Sequence, residues 1–301
     1  MNLNLVLHNW KCFESVSLSI PTTSFAIVDG NGSGKTSILS AVYSLFENKP
    51  WPGTKISESI KKDSEYYGIL TSYPKWSLSG QIGSNGRLKN NFQKPKTSPI
   101  FSEQKPWPYL FTYLPSDNDW FFKSSSQKLA ILDSLLDQSY QDYAKYLRNL
   151  ENAVKAKNRY LKYCRENEIT GDVIMIKQLG DAILLASKSV WLVRSGFLKL
   201  LDSKLKDFES WIASNVKDWK VEYRISDSWG IKRPFDEVIG ELEVVDYSKI
   251  WKKELILGRC FFGAQRDEFE ISSDRKAVQN ILSRGEKRLL VLFIKNIARQ
   301  K

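Results

Sequence analysis

The run Gly32, Ser33, Gly34, Lys35, Thr36 places small residues, a cation and a hydroxyl where a polyphosphate could be held. Backbone N–H groups converge on an anion only if residues take unusual φ/ψ, which Gly32 and Gly34 can do; Lys35 can reach the outer phosphates and the Thr36 hydroxyl can ligate Mg2+. The context suits this chemistry. Phe25, Ala26, Ile27 and Val28 predict a strand, residues 29–32 a turn, and Ile38, Leu39, Val42, Leu45 and Phe46 recur at helical spacing. One position departs from G-x-x-x-x-G-K-[ST]: Asp29 replaces the first glycine, beside Gly30, and brings a carboxylate near the phosphates. The bland alternative is a glycine turn before an ordinary helix.

A second cluster, Leu282, Ser283, Arg284, Gly285, Glu286, directly precedes the last apolar helical pattern. Ser-x-x-Glu is the signature of a capping box, with Ser283 as N-cap and Glu286 three residues on. The same helix end, with its free amides and dipole, could instead receive an anion. On these residues alone both readings stand.

The elements that must position these groups follow from periodicity. Leu3, Leu5 and Leu7, then Val16, Leu18 and Ile20, alternate with polar residues around a turn near Lys11 and predict a hairpin. Residues 49–107 are rich in Pro, Gly, Ser and aromatics, with short alternations such as Trp76, Leu78, Gly80, Ile82, and predict a small β-rich portion. Residues 110–114 form another apolar run. Residues 129–156 and 173–208 carry apolar residues at threes and fours and predict long amphipathic helices. Residues 221–225, 238–245, 255–262 and 269–271 look mixed or strand-like. A last helix over 284–299 has Leu289, Leu290, Leu292, Phe293 and Ile297 on its apolar side.

A chain of 301 residues has room for one large or two ordinary domains of about 150 residues each. With 45 Lys and Arg against 34 Asp and Glu the net charge is +11, which favours polyanionic partners through counterion release. Cys12, Cys164 and Cys260 lie far apart without a C-x-x-C pair, so they read as buried thiols in a reducing cytoplasm. No stretch of about 18 uncharged apolar residues argues for a membrane span.

Taken in order, these segments resemble the RecF branch of the ABC/SMC ATPases. The resemblance runs through His8, Asn9, Trp10, Lys11; through Gly30, Asn31, Gly32, Ser33, Gly34, Lys35, Thr36 and Ser37 with Ile38, Leu39, Ser40, Ala41; and through Leu114, Pro115, Ser116, Asp117. It continues with Lys128, Ile131, Leu132, Asp133, then Tyr140, Tyr143, Leu147, Lys157 and Asn158, then residues 263–269, G-A-Q-R-D-E-F. Ser283, Arg284, Gly285 and Glu286 close it in the place of the ABC signature. Leu129 replaces an arginine of the family pattern, and a Pro and a His are substituted in 263–269. Without the family, 263–269 reads as an exposed polar turn in which Arg266 and Asp267 form a surface ion pair.

The resemblance implies an α/β fold, a P-loop NTPase of the ABC/SMC head type with a mainly helical inserted lobe and an incomplete sheet. It implies an ATPase lobe over residues 1–116, a helical lobe over 117–254, and strands with the signature helix over 255–301. It implies ATP and Mg2+ as cofactors, with Thr36 as the metal ligand, and ATP held by Gly30 to Ser37 of one protomer and Ser283 to Glu286 of another. DNA, an ATP-dependent homodimer and RecO, RecR and RecA-type partners follow in the same way, in the cytoplasm and with no membrane. Lys128, Lys157 and Arg159 are DNA-contact candidates, with solvated helix faces as the equal alternative. ABC hydrolysis also requires an apolar strand ending in Asp and a late His. Neither is present before Lys301, so the sequence reads as cut short and hydrolysis is expected to be absent or very slow. Rival readings are another SMC-like or OLD-type ATPase, and a non-catalytic DNA-binding module with a degenerate P-loop.

Overall fold

The computed structural model describes residues 2–21, 25–47, 50–73, 76–82, 88–93, 112–212, 216–226, 231–240 and 247–299. Two compact units divide the chain, Met1–Thr112 and Tyr113–Lys301. Residues 94–107, Leu110, Phe111 and 241–245, on which parts of the predicted β-rich and strand-like segments fall, lie outside the described residues.

In the first unit the predicted hairpin forms from β1 (Asn2–Trp10) and β2 (Phe13–Pro21). β3 (Tyr67–Tyr73), β4 (Trp76–Ile82) and β5 (Leu88–Gln93) complete an antiparallel sheet in the order β2-β1-β3-β4-β5. Alternation along β1 turns Leu5 and Leu7 to one face, opposite Thr71 and Ile69 of β3. Helix α1 (Lys35–Glu47) lays Ala41, Leu45 and Phe46 on that face with Trp10, Tyr67 and Leu78. Each fully buried Leu there contributes about 1.5–3 kcal/mol of apolar transfer, so the sheet and α1 are held as one piece.

The strand expected over residues 25–28 is not formed. An apolar run becomes a strand only where another strand takes its N–H and C=O groups. No described strand lies alongside this one, and Phe25 and Val28 stand 49% and 87% exposed. The glycine loop therefore enters α1 from an irregular segment.

The second unit is mainly helical. α2 (Ser125–Ser139) is started by a capping box of Ser124 and Gln127. α3 (Tyr143–Glu166) and α4 (Val173–Phe208) pack on each other, and the Asp172 carboxylate caps α4 by accepting from the amides of Ile174 and Met175. The pattern over 129–156 thus splits in two. The chain reverses at Asp142, whose φ of 65° lies in the left-handed region that Asp tolerates better than most residues. A second antiparallel sheet follows, ordered β7-β6-β8-β9, from β6 (Lys220–Ser226), β7 (Lys232–Pro234), β8 (Glu268–Ser273) and β9 (Lys276–Ala277). Short helix α5 (Phe235–Val238), α6 (Tyr247–Leu257), short α7 (Val278–Ile281) and α8 (Arg284–Arg299) complete the unit.

Residues 255–257, expected to be strand-like, end α6 instead. Ile250, Trp251 and Glu254 are buried at helical spacing, and Gly258 at φ 65° stops the helix. On α8, Leu290, Phe293 and Ile297 are buried as expected, whereas Leu292 is exposed. Among the described residues no helix is long and apolar enough to cross a membrane.

The thiols divide by position. Cys164 and Cys260 are buried, but Cys12 is exposed because it sits in the β1–β2 turn, which corrects the expectation of three buried thiols. Burial pushes the Cys260 thiol up to about 11. Mass-spectrometric counting of iodoacetamide adducts should therefore find rapid labelling of Cys12 alone in the native protein and of all three cysteines in denaturant. Labelling of Cys164 or Cys260 at the rate of Cys12 would contradict this packing.

Candidate nucleotide site

The P-loop residues cluster at the start of α1, and its supports come from the hairpin. Trp10 is fully buried and donates its indole N–H to the Ser37 carbonyl at 2.7 Å. Its neighbours Asn9 and Lys11 take left-handed φ of 50° and 49°. The Asn9 carbonyl accepts from the Lys61 amide at 2.8 Å, and the Lys11 amide donates to the Ser59 carbonyl at 2.9 Å. The end of β1 and the turn at Lys11 are thus tied to residues 59–61 and, through Trp10, to the first turn of α1.

Gly32 and Gly34 both have positive φ, 81° and 93°, as a phosphate cradle requires. At Gly34 a Cβ would come within 2.5 Å of the Phe13 ring and 3.0 Å of the Cys12 sulfur, so only glycine fits between loop and hairpin. Around Gly30 and Gly32 a Cβ would meet nothing within 4 Å, which leaves that side of the loop open. Asp29 is not in the left-handed region, so this backbone does not need glycine there. Its carboxylate accepts from the Gly30 amide at 2.7 Å. The Lys35 ammonium reaches back over the loop to the carbonyls of Asp29 and Gly30, at 2.8 and 2.6 Å, and lies 3.5 Å from the Ser33 hydroxyl. Asn31, Gly32 and Thr36 are exposed, and the first turn of α1 carries no acidic residue to repel an anion.

In the second unit, the Ser283 amide donates to the Glu286 carboxylate at 2.9 Å while the Glu286 amide donates to the Ser283 hydroxyl at 3.3 Å. This is a reciprocal capping box, the first of the two readings that these residues allow. Ser283, Arg284 and Gly285 stay exposed, so the cap leaves the helix end accessible. Asp117, in the segment that begins at Leu114, accepts from the Leu114 amide at 2.9 Å and from Lys295 of α8 at 2.6 Å, tying that segment to α8.

Two sequence expectations need correction. Lys157 is 1% exposed and its ammonium lies 2.6 Å from the equally buried Glu254, so it is neither a solvated residue nor a DNA contact. Arg159 is exposed and Lys128 half-buried. Residues 263–267 are not an exposed turn, and Asp267 does not pair with Arg266. The Asp267 carboxylate is fully buried and accepts from Arg194 at 2.7 Å, from the Trp191 indole at 3.1 Å, and from the Tyr223 hydroxyl. Arg194 also binds Asp133 through two nitrogens, at 2.9 and 2.8 Å, and the Ala264 carbonyl at 2.6 Å. Burial pushes the Asp267 carboxyl up to about 6, with Arg194 and the surrounding donors opposing the shift. Arg194, Trp191 and Tyr223 were not singled out from sequence. The signal present was a lone arginine among the apolar residues of α4, which a buried carboxylate must answer.

No family model matches the chain. Among curated proteins, the DNA replication and repair protein RecF of Staphylococcus haemolyticus is 25% identical over 302 residues, covering 97% of this chain and 79% of that protein. Its namesakes from Bacillus velezensis, 24% identical over 301 residues with the same coverages, and Cytophaga hutchinsonii, 21% identical over 298 residues with 96% and 74% covered, run along the same length. Among solved structures, the recombination mediator protein RecF of the RecFOR pathway, determined as RecF-ATPrS and as RecF-ATP, matches with TM-scores of 0.76 and 0.75. The identities are 18% and 19%, over 99% of this chain and 80% of that one. Likeness along nearly the whole sequence and a shared fold converge on one answer: the chain is similar to RecF proteins in sequence and shares their fold.

Proposed function

We propose that this chain is an ATP-binding DNA replication and repair protein of RecF type. The observation that carries the proposal is the glycine loop at the start of α1. Two left-handed glycines, an exposed hydroxyl and a lysine stand at a helix N-terminus that the buried Trp10 holds in place. Gly30 to Ser37 hold the triphosphate, with Lys35 on its outer oxygens. The Thr36 hydroxyl, exposed at the start of α1, holds Mg2+ jointly with the phosphate oxygens. Bound ATP supplies negative charge that a second protomer can share. Ser283, Arg284, Gly285 and Glu286 of that protomer meet it from the exposed end of α8, which makes ATP the glue of a head-to-tail homodimer acting on DNA. The division into residues 1–116, 117–254 and 255–301, cooperation with RecO, RecR and RecA-type partners, and action in the cytoplasm belong to the same reading by family likeness.

Titration with ATP·Mg2+ followed by calorimetry, alongside gel filtration with and without ATP, tests it. Lys35→Ala should weaken nucleotide binding by at least about tenfold, since a charge-assisted hydrogen bond is worth about 1.5–3 kcal/mol, and should abolish the ATP-dependent shift to dimer. Nucleotide binding absent in the wild type would favour instead a DNA-binding module whose P-loop, with Asp29 in its first glycine position, is degenerate.

A further inference from the structure

A second site of charge lies in the other unit, at the turn after α6. The ring of Phe261 is half-buried, and three cations gather on it: Arg266 at 4.7 Å from the centroid, Lys253 at 5.2 Å and Arg259 at 5.3 Å. Lys253 and Arg259 are exposed, and none of the three has an ion-pair partner among the described residues. Like charges gathered on one ring repel, so a cluster with no paired carboxylate among the described residues concentrates positive potential at one place. Arg165 adds to it, with its guanidinium lying so close to Gly258 that a Cβ there would come within 2.4 Å of it.

The turn beneath the cations is built rigidly. The amide of Cys260 donates to the Asn158 side chain at 2.8 Å, and the amide of Phe261 donates to the buried Glu254 at 2.6 Å. Arg266 donates Nε and Nη2 to the Cys260 carbonyl, at 3.2 and 3.0 Å, which fixes its guanidinium and leaves Nη1 outside that bond. Glu254 is neutralised from below by Lys157 and contributes no screening charge at the surface. Cations gathered over an aromatic ring, with no carboxylate paired to them among the described residues, suit a polyanion that arrives as a row of phosphates.

We infer that Lys253, Arg259 and Arg266, arrayed around Phe261, form a contact surface for the phosphate backbone of DNA, separate from both nucleotide motifs. The inference rests on the proposed action on DNA and adds the surface that touches it. The cations cover the ring, so it is not open for base stacking; the contact is to backbone and independent of sequence.

The test is fluorescence anisotropy of labelled random-sequence duplex and of oligo-dT with the full chain, between 50 and 300 mM KCl. The variants are Lys253→Ala/Arg259→Ala and, as a control, Lys199→Ala/Lys204→Ala, whose lysines already pair with Asp236 and Asp207. Each released phosphate contact changes the slope of log K against log salt by about 0.9 on duplex. The first variant should therefore lose roughly two units of slope and at least tenfold in affinity at the lowest salt, while keeping the wild-type melting temperature and ATP binding. The control should keep the slope. Wild-type DNA binding with an unchanged slope in the Lys253/Arg259 variant overturns this surface alone. Failure of the wild type to bind either DNA overturns it together with the proposed action on DNA. Lys253→Arg/Arg259→Lys, which keeps both charges, should restore the slope, and a loss there would assign the effect to folding.

Discussion

Arg194→Met is expected to lower the unfolding temperature of the second unit by about 6–20 °C. Breaking a buried ion pair by removing one partner costs about 3–5 kcal/mol, and each kcal/mol shifts the midpoint by about 2–4 °C for a unit of 150–250 residues. The residue is 2% exposed and serves two carboxylates, Asp133 and the fully buried Asp267, besides the Ala264 carbonyl. Methionine fills the volume but leaves Asp267 with only Trp191 and Tyr223. Arg194→Lys should recover little, because an ammonium is a compact point charge and cannot reproduce a planar fork that serves both acids at once.

The same site fixes a pH dependence. Burial raises the Asp267 carboxyl to about 6, above an unfolded value of about 3.9. Its contribution to stability is therefore fully present below about pH 4 and is lost as pH rises through 6. Removing Arg194 takes away the charge that opposes this shift, so the folded value rises further. The stability deficit of Arg194→Met should be largest near pH 8 and shrink by pH 5, as protonation relieves the stranded carboxylate. Calorimetric scans at the two pH values give the comparison; equal deficits would show that Arg194 acts through packing and not through Asp267.

Lys157→Met is expected to cost a comparable amount, about 3–5 kcal/mol, with no direct effect on nucleic-acid contact. Lys157 and Glu254 are 1% and 0% exposed and meet at 2.6 Å. The lone glutamate would be left charged in the interior while still accepting from the Phe261 amide. Lys157→Met/Glu254→Gln should regain most of the loss, because a neutral amide keeps that acceptor without the charge. Urea unfolding of the single and double variants measures the coupling. A Lys157→Met protein as stable as the wild type but weaker on DNA would restore Lys157 to the surface.

These two residues show where a linear reading stops. Lys157 follows the exposed Lys155 and Ala156 on α3, where a lysine looks solvated, and nothing local reveals that Glu254, almost a hundred residues on, will pair with it in the interior. Arg194 is the single arginine of α4, and nothing in its local sequence marks it as the partner of two carboxylates. Asp267 reads from sequence as half of a surface pair with its neighbour, although its actual partners are Arg194 and Trp191 on α4 and Tyr223 on β6. Long-range ion pairs have no period and no spacing rule, so only the packed structure assigns them.

Other features were fixed by local rules and could be read directly. Alternation set the β1–β2 hairpin, the 3.6-residue period set α4 and α8 at their observed ends, and the Ser283–Glu286 box formed as the four residues dictate. The glycines of the loop took the left-handed conformation their lack of a Cβ permits, and Lys35 opened a helix. The sequence by itself thus determined the glycine loop proposed to hold phosphate and the α1 helix and β1–β2 hairpin that present it. Only the tertiary structure decided that Phe25 to Val28 forms no strand, that Gly34 is wedged against Phe13 and Cys12, and which of the many basic residues are buried counter-charges and which face solvent. The physical reason is range. Backbone propensity and capping act over four residues or so, whereas strand pairing and charge burial depend on what the rest of the chain brings alongside.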